Sequence, residues 1–535
     1  MRHTLQTVLT LAALGFLFTV LVIANRLSWI PASFFYFPLE FMLLGLLLLP
    51  GGWIGTGVRW AAAIVLTLGA VTRIADMVTY QIFLRPFNPI FDAYLLGDGV
   101  HLLQTSLGIW AAYGVVAGVI LLVVLLLLLA YLSTARYQAL VQRFPRPALA
   151  VLGSALLIWG GLAYAGKPVA SIWFSNQLAY HARNAINSVV DLRAFAEVVN
   201  HDDVNVPGAA LFDRLRGKDV LVVFVESYGR TVVEKPEYAA RIPAVLQAST
   251  ATLRQHGFAS RSAYLTSPTV GGISWLAHGT ALSGLWIDSQ IRYDSLLMSE
   301  RPSLVTLFGR AGWHTVGVMP AISLPWPEGE YFGYDRTLTA PGLGYRGKPF
   351  NYVTMPDQFT LARFEALARA PADGPVMAEI ALISSHAPWT PVPQLIDWEA
   401  VGDGSVFNDQ ATAGDPPEVV WQSKERVIRH YRDSVEYVLD TITSYVTTYG
   451  DEDLVVLVLG DHQPMPYVTD ESENRDVLVH LIAGDESVLE ATDSWQWSEG
   501  MLPARDAPVW RMDELRPRLI EAFSQKPAEV DSLRK

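Results

Sequence analysis

Five apolar segments in the first third constrain this chain more than any other feature. They cover residues 5–24, 30–49, 58–79, 107–132 and 148–165. A bilayer core about 30 Å thick needs about 20 helical residues, and each segment is near that length. One such run reads as a buried core helix; five in succession, almost without charge, read as membrane spans. Glycine and proline fall mainly between them, as at Pro50-Gly51-Gly52. The first segment is too long for a cleaved signal peptide, and four more follow it. Composition agrees. Of 535 residues 51% are hydrophobic and only 17% charged, below the ~25% usual for soluble proteins.

Loop charges orient the spans. The fourth connection carries Arg136, Arg143 and Arg146 and no acid, whereas the third sets Arg85 against Asp92 and Asp98. The positive-inside rule puts the fourth in the cytoplasm and the third outside. The N-terminus is then inside, and everything after about residue 166 lies on the far side. Three charges fall within the spans: Glu40, Arg73 and Asp76. Such groups are costly there and pair or serve a function. The expected arrangement is a Glu40–Arg73 pair with Asp76 at the interface; the alternative is a polar cleft for a lipid headgroup. The chain has no cysteine, which excludes disulfides, zinc–thiolate sites and a Cys nucleophile. Its net charge of −13 speaks against a nucleic-acid partner.

Residues 167–218 read as a connector with an amphipathic helical pattern over 171–199. From residue 219 short apolar runs alternate with amphipathic stretches. Candidate strands are 220–225, 259–264, 315–319, 377–383, 454–459 and 477–482; candidate helices are 242–255, 304–311, 358–368 and 424–449. This alternation predicts a mainly parallel sheet covered by helices on both faces. Active sites in such folds form beyond the carboxyl ends of the strands. Three exits carry chemistry: Glu226-Ser227, Ser384-Ser385-His386 and Gly460-Asp461-His462. Carboxylates with a neutral imidazole suit a divalent metal such as zinc or manganese, with Glu226, Asp461 and His462 as ligands.

The run Leu221-Val222-Val223-Phe224-Val225-Glu226-Ser227, together with Gly460-Asp461-His462, resembles the membrane-anchored branch of the alkaline phosphatase/sulfatase superfamily. That branch includes lipoteichoic acid synthases, lipid A phosphoethanolamine transferases and the phosphoglycerol transferases of periplasmic glucans. Residues 303–312 with Phe332-Gly333-Tyr334-Asp335 look like the family's helix and "GFD" turn. The resemblance covers essentially the whole chain. It implies a five-helix transmembrane domain (1–166), the connector (167–218) and an α/β alkaline phosphatase/sulfatase-like domain (219–535). It also implies one divalent metal, zinc or manganese ahead of magnesium, held by Glu226, Asp461, His462 and a hydroxyl nucleophile. That nucleophile belongs some 40–50 residues after Glu226, at a helix start. Ser274, after the Gly271-Gly272 turn, is the first candidate and Thr269 the alternative.

His386 matches the family's histidine after a mid-domain strand, implied to hold a phosphate oxygen or protonate the leaving group. His278, one helical turn beyond Ser274, reads either as facing substrate or as packed in its helix. Trp326 and Trp389 are candidate substrate walls, and His430, inside a long helix, reads as structural. Lipoteichoic acid synthases carry a headgroup-gripping arginine near the equivalent of Trp326. None lies between Trp326 and Asp335 here. Ser267-Pro268 lacks the spacing and the arginine of the C/S-x-P-x-R sulfatase motif, which removes formylglycine chemistry. The expected activity is transfer of phosphoglycerol or phosphoethanolamine from a membrane phospholipid to an extracytoplasmic glycan or lipid, through a phospho-serine. The expected location is the bacterial inner membrane, with the catalytic domain on the periplasmic side. The rivals are a phosphodiesterase or phosphatase using water and a catalytically inactive membrane scaffold.

Overall fold

The computed structural model describes residues 2–166, 170–202, 204 and 210–525. Lys167, where the connector is expected to begin, and Lys535 lie outside the described residues. The chain divides into two compact units: residues 1–81 with 85–193, and residues 82–84 with 194–535.

Among the described residues of the first part of the chain, four helices are long and apolar enough to cross a membrane: Thr4–Val22, Gly52–Phe83, Ile109–Arg143 and Pro145–Tyr164. The second apolar segment departs from the expected continuous span. It breaks into Ile30–Ser33, a two-residue strand Phe37–Pro38 and the helix Leu39–Leu47. Pro38 lacks an N–H and disfavours a helical residue before it. The nine residues left to the helix cover only about 14 Å at 1.5 Å each. The fourth segment runs on past its apolar part, so Arg136 and Arg143 sit on helix and Phe144 alone separates it from the next one.

The expected Glu40–Arg73 pair is not formed. Glu40 Oε1 instead accepts from the backbone N–H of Ser175, in the first turn of the helix Trp173–Val198. Arg73 is buried and donates to Gln177 Oε1 (2.5 Å) and to the Val20 and Leu21 carbonyls at the end of the first helix. Asp76, also buried, receives Gln177 Nε2 (2.6 Å), Asn25 Nδ2 (3.2 Å) and the N–H of Phe87 (2.9 Å), with His181 Nε2 at 3.2 Å.

The second unit is built on a nine-stranded mixed, mostly parallel sheet. Its strands are β1 (Asp219–Val225), β2 (Ala259–Thr266), β3 (His314–Met319), β4 (Arg336–Thr339), β5 (Val376–Leu382), β6 (Leu454–Gly460), β7 (Asp476–Ala483), β8 (Ser498–Glu499) and β9 (Val509–Arg511). The order is β8-β2-β7-β6-β1-β5-β3-β4, with β9 paired to β2. The central strands β6, β1, β5 and β3 are parallel, and β7 runs antiparallel to both neighbours. Alternation splits β1 cleanly. Leu221, Val223 and Val225 join the core on one face, and Val220, Val222 and Phe224 join the core on the other. Burial on both faces is why these strands read as unbroken apolar runs. The six strands expected from sequence are present; β4, β8 and β9 are short or polar and carried no such signal.

Candidate active site

Strand β1 ends at Val225 and delivers Glu226; neighbouring β6 ends at Gly460 and delivers Asp461 and His462. Both exits lie on the same sheet edge, because β1 and β6 are parallel and in register from Asp219↔Leu454 to Val225↔Gly460. Gly460 is required there, since a Cβ would stand 2.1 Å from the Tyr228 carbonyl oxygen. Donor atoms of Glu226, Asp461 and His462 lie within 4.8 Å of one another. His462 Nε2 is 3.2 Å from Glu226 Oε1 and 3.7 Å from Asp461 Oδ2.

Ser274 completes the group. It opens the helix Ser274–Ser283, and its Oγ lies 3.0 Å from Glu226 Oε2 and 3.2 Å from His462 Nε2. The chain reaches this point through Gly271 and Gly272, both at positive φ, and then Ile273 at φ 64°. A β-branched residue in the left-handed region is strained, and such strain concentrates at functional sites. Ser227, at φ 58°, is a second case; its N–H donates to Asp461 Oδ1 (2.7 Å) and its carbonyl accepts from the Tyr431 hydroxyl. Thr269 is not brought to the cluster: its hydroxyl donates to the Gly272 carbonyl and ties the turn (2.7 Å).

The electrostatics favour a cation. Burial pushes Asp461 up to about 7, and neighbouring Glu226 adds to the rise. Burial alone would raise Glu226 too, but the charge and hydrogen bond of His462 outweigh it and hold the carboxyl far below its usual range. Burial would lower His462, yet Asp461 and Glu226 raise it to about 9. The two carboxylates draw positive charge from His462 that a divalent ion could supply instead. His462 is also set up as a ligand. Its Nδ1 faces the Gln463 carbonyl (2.8 Å), which fixes the ring with Nε2 toward the cluster. An oxygen-rich set with one imidazole and one hydroxyl fits zinc or manganese.

Other expected residues fall nearby with different roles. His386 is exposed on the loop after β5, whose Ser385 hydroxyl donates to the Glu226 carbonyl (2.5 Å). Trp389 does not form a substrate wall. It is 2% exposed, its indole N–H donates to the Ser385 carbonyl (2.6 Å), and its ring stacks on Trp421, so it braces the loop. Trp326 is half-buried against Phe332 and Tyr334. His278 bonds Glu379 through Nδ1 (2.6 Å). His430 lies on the outer helix Lys424–Tyr449 and lines a cleft of about 480 Å³ with Asp409, Gln410 and Asp433.

Sequence reading missed Asp357, which is fully buried and accepts the N–H groups of Ile383 (2.8 Å) and Ser384 (3.1 Å). It holds the start of the His386 loop. It also missed Ser267, whose hydroxyl donates to the Asp461 carbonyl (2.6 Å). Glu379 was missed as well, although a charge inside a strand that reads as buried on both faces is a signal.

A helix-start hydroxyl beside an acidic–histidine cluster at this sheet edge is an arrangement that can hold a divalent cation. The family model described as Sulfatase matches residues 218–501, more than half of the chain, and the chain belongs to the sulfatase family. No curated protein sequence matches significantly. Among solved structures, the chain is similar to the integral membrane lipooligosaccharide phosphoethanolamine transferase A of Neisseria meningitidis, at 14% identity and TM-score 0.46, covering 96% of this chain and 99% of that one. It is similar to the lipoteichoic acid synthase LtaP of Listeria monocytogenes, at 14% identity and TM-score 0.40, covering 63% and 78%. The zinc complex of the C-terminal periplasmic domain of EptC from Escherichia coli matches at 14% identity and TM-score 0.37, covering 56% and 80%.

Proposed function

We propose that this protein transfers a phosphorylated headgroup, phosphoglycerol or phosphoethanolamine, from a membrane phospholipid to an extracytoplasmic glycan or lipid through a covalent intermediate on Ser274. The observation that carries the proposal is the Ser274 hydroxyl itself, at the first position of a helix and hydrogen-bonded to Glu226 within the Asp461–His462 cluster. Sulfatase-family membership and four helices of membrane-crossing length support a lipid donor.

Glu226, Asp461, His462 and the Ser274 Oγ would hold one divalent ion, zinc or manganese, which lowers the pKa of a bound hydroxyl and neutralises phosphoryl charge. Glu226 accepts the Ser274 hydroxyl hydrogen and aims the oxygen. The N-terminal end of the helix Ser274–Ser283 favours an anionic phosphate beside it. The exposed imidazole of His386 donates to a phosphate oxygen or to the departing diacylglycerol. An acceptor hydroxyl then displaces Ser274.

The catalytic unit is assigned to the extracytoplasmic side of a bacterial inner membrane. Arg143 and Arg146 flank Phe144, and Arg136 lies two turns earlier on the same helix; by the positive-inside rule this end faces the cytoplasm in our reading. One crossing by Pro145–Tyr164 then leads outside, whatever the second apolar segment does.

The test is peptide mass spectrometry after incubating the full chain with vesicles of mixed phosphatidylglycerol and phosphatidylethanolamine. A phosphoglycerol or phosphoethanolamine mass on Ser274 is expected, and the increment names the headgroup. Absence of any adduct on Ser274, or an adduct on Thr269, overturns the assignment. Release of free headgroup phosphate with no modified glycan or lipid would make water the acceptor.

A further inference from the structure

Glu379 sits in the middle of β5 with no exposed surface. It pairs with Val222 of parallel β1, so its side chain lies on the sheet face of Val222, Phe224 and Glu226. A buried carboxylate is expensive unless donors meet it. Two do: the Tyr334 hydroxyl on Oε2 and His278 Nδ1 on Oε1 (2.6 Å). Gly317, opposite Glu379 on β3, makes room for Tyr334, because a Cβ there would stand 3.0 Å from the Tyr334 ring. Burial, with Glu379 beside it, holds the Tyr334 phenol well above its usual pKa, so it remains a donor. A carboxylate that accepts on both oxygens places the hydrogen of His278 on Nδ1 and the lone pair on Nε2.

The ring is held on a third side by Phe224, stacked at 3.8 Å between centroids. His278 keeps 13% side-chain exposure, and Nε2 takes no hydrogen bond from any described residue. Ser274 and His278 stand four residues apart on one helix face. Helical side chains lean toward the N-terminus, which is the Ser274 end. Packing alone would not need a histidine whose tautomer is set by a fully buried carboxylate and a buried tyrosine.

We propose that His278 is the general base of the second half-reaction, with Glu379 and Tyr334 as its positioning residues; this rests on the Ser274 intermediate described above. His278 Nε2 takes the proton of the acceptor hydroxyl as the acceptor oxygen bonds to phosphorus. The phosphorus–Oγ bond of Ser274 breaks, and the proton passes from His278 to the Ser274 oxygen. Atoms and charge balance without a further reactant.

The test uses the full chain and bis(p-nitrophenyl) phosphate, a diester whose first leaving group needs no proton. His278→Ala and His278→Asn should each release a rapid burst of one p-nitrophenolate per chain. Steady turnover should then be at least ~100-fold below wild type, the scale of general-base catalysis. The adduct should be found on Ser274. Free imidazole should speed His278→Ala, which has a cavity for it, and not His278→Asn. The Asn variant keeps an amide N–H for Glu379 and so guards against a folding defect. Glu379→Gln, which can offer an N–H to Nδ1, should reproduce the burst with metal content unchanged. Turnover of both His278 variants within about twofold of wild type, or burst and turnover lost together without imidazole rescue, overturns the role of His278. A wild type with no Ser274 adduct and no turnover overturns the transferase reading instead, and this inference falls with it.

Discussion

Replacing Asp357 by Asn should flatten the pH dependence of this protein's stability between about pH 4 and pH 7. Asp357 is fully buried, and burial raises its carboxyl from 3.8 to about 7, against the opposing pull of the Ile383 and Ser384 donors. The folded state therefore binds the proton more tightly than the unfolded chain. The stabilisation is complete below pH 3.8 and is lost as pH rises through about 7. At 1.36 kcal/mol per pKa unit the full difference is about 4 kcal/mol. With half of it realised, about 2 kcal/mol, and 2–4 °C per kcal/mol for a large domain, the wild type should lose roughly 4–8 °C more than Asp357→Asn between pH 5 and pH 8. The amide carries no charge at either pH, and its oxygen can still accept from Ile383. Thermal unfolding of the full chain in detergent, followed by tryptophan fluorescence, reads the difference directly. Subtracting the variant cancels every other titrating group. Equal losses in the two proteins would show that burial does not set the Asp357 equilibrium, and the account of the His386 loop would fail with it.

Four further outcomes are expected. Ser274→Ala should abolish the covalent adduct and Ser274→Thr should keep part of the activity, whereas Thr269→Ala, which loses only its bond to the Gly272 carbonyl, should retain adduct and turnover; mass spectrometry and turnover together decide. Asp461→Asn and Glu226→Gln should each cut bound metal sharply by elemental analysis, and unchanged content in both would refute the ligand set. Gly460→Ala should destabilise the second unit by ~1–3 kcal/mol or more, the scale of overpacking, because its Cβ would meet the Tyr228 carbonyl at 2.1 Å; an unaltered melting temperature would refute the close approach. A reporter active only in the cytoplasm, fused after Lys535, should stay silent, and a signal would overturn the assigned side.

The central strands were legible because their sequences are apolar on both faces, and the ligand candidates because each sits directly after such a strand. Glu226 and Asp461-His462 lie far apart in sequence, but parallel strands in register must deliver them to one edge. The turn and helix start at Ser274 were legible through its glycine pair. Trp389 was misread because an aromatic beside a site residue looks the same in sequence whether its ring faces substrate or, as here, Trp421. Asp357 and Glu379 act through partners 26 and 101 residues away, and neither lies at a strand exit.

The in-span charges show the same limit in the first unit. Glu40 and Arg73 were expected to pair, with Asp76 at the interface, because a charge in a membrane needs a partner. Each instead bonds the helix Trp173–Val198: Glu40 at the N–H of Ser175, Arg73 at Gln177, and Asp76 at Gln177 and His181. Separations of 101 to 135 residues hide these contacts from any periodicity. Arg73 also satisfies carbonyls at the end of the first helix, which lack intrahelical donors. The polar-faced helix thus supplies backbone or amide partners to all three, alongside Asn25 and the Phe87 N–H on Asp76. These contacts tie that helix to the apolar segments that carry the three charges.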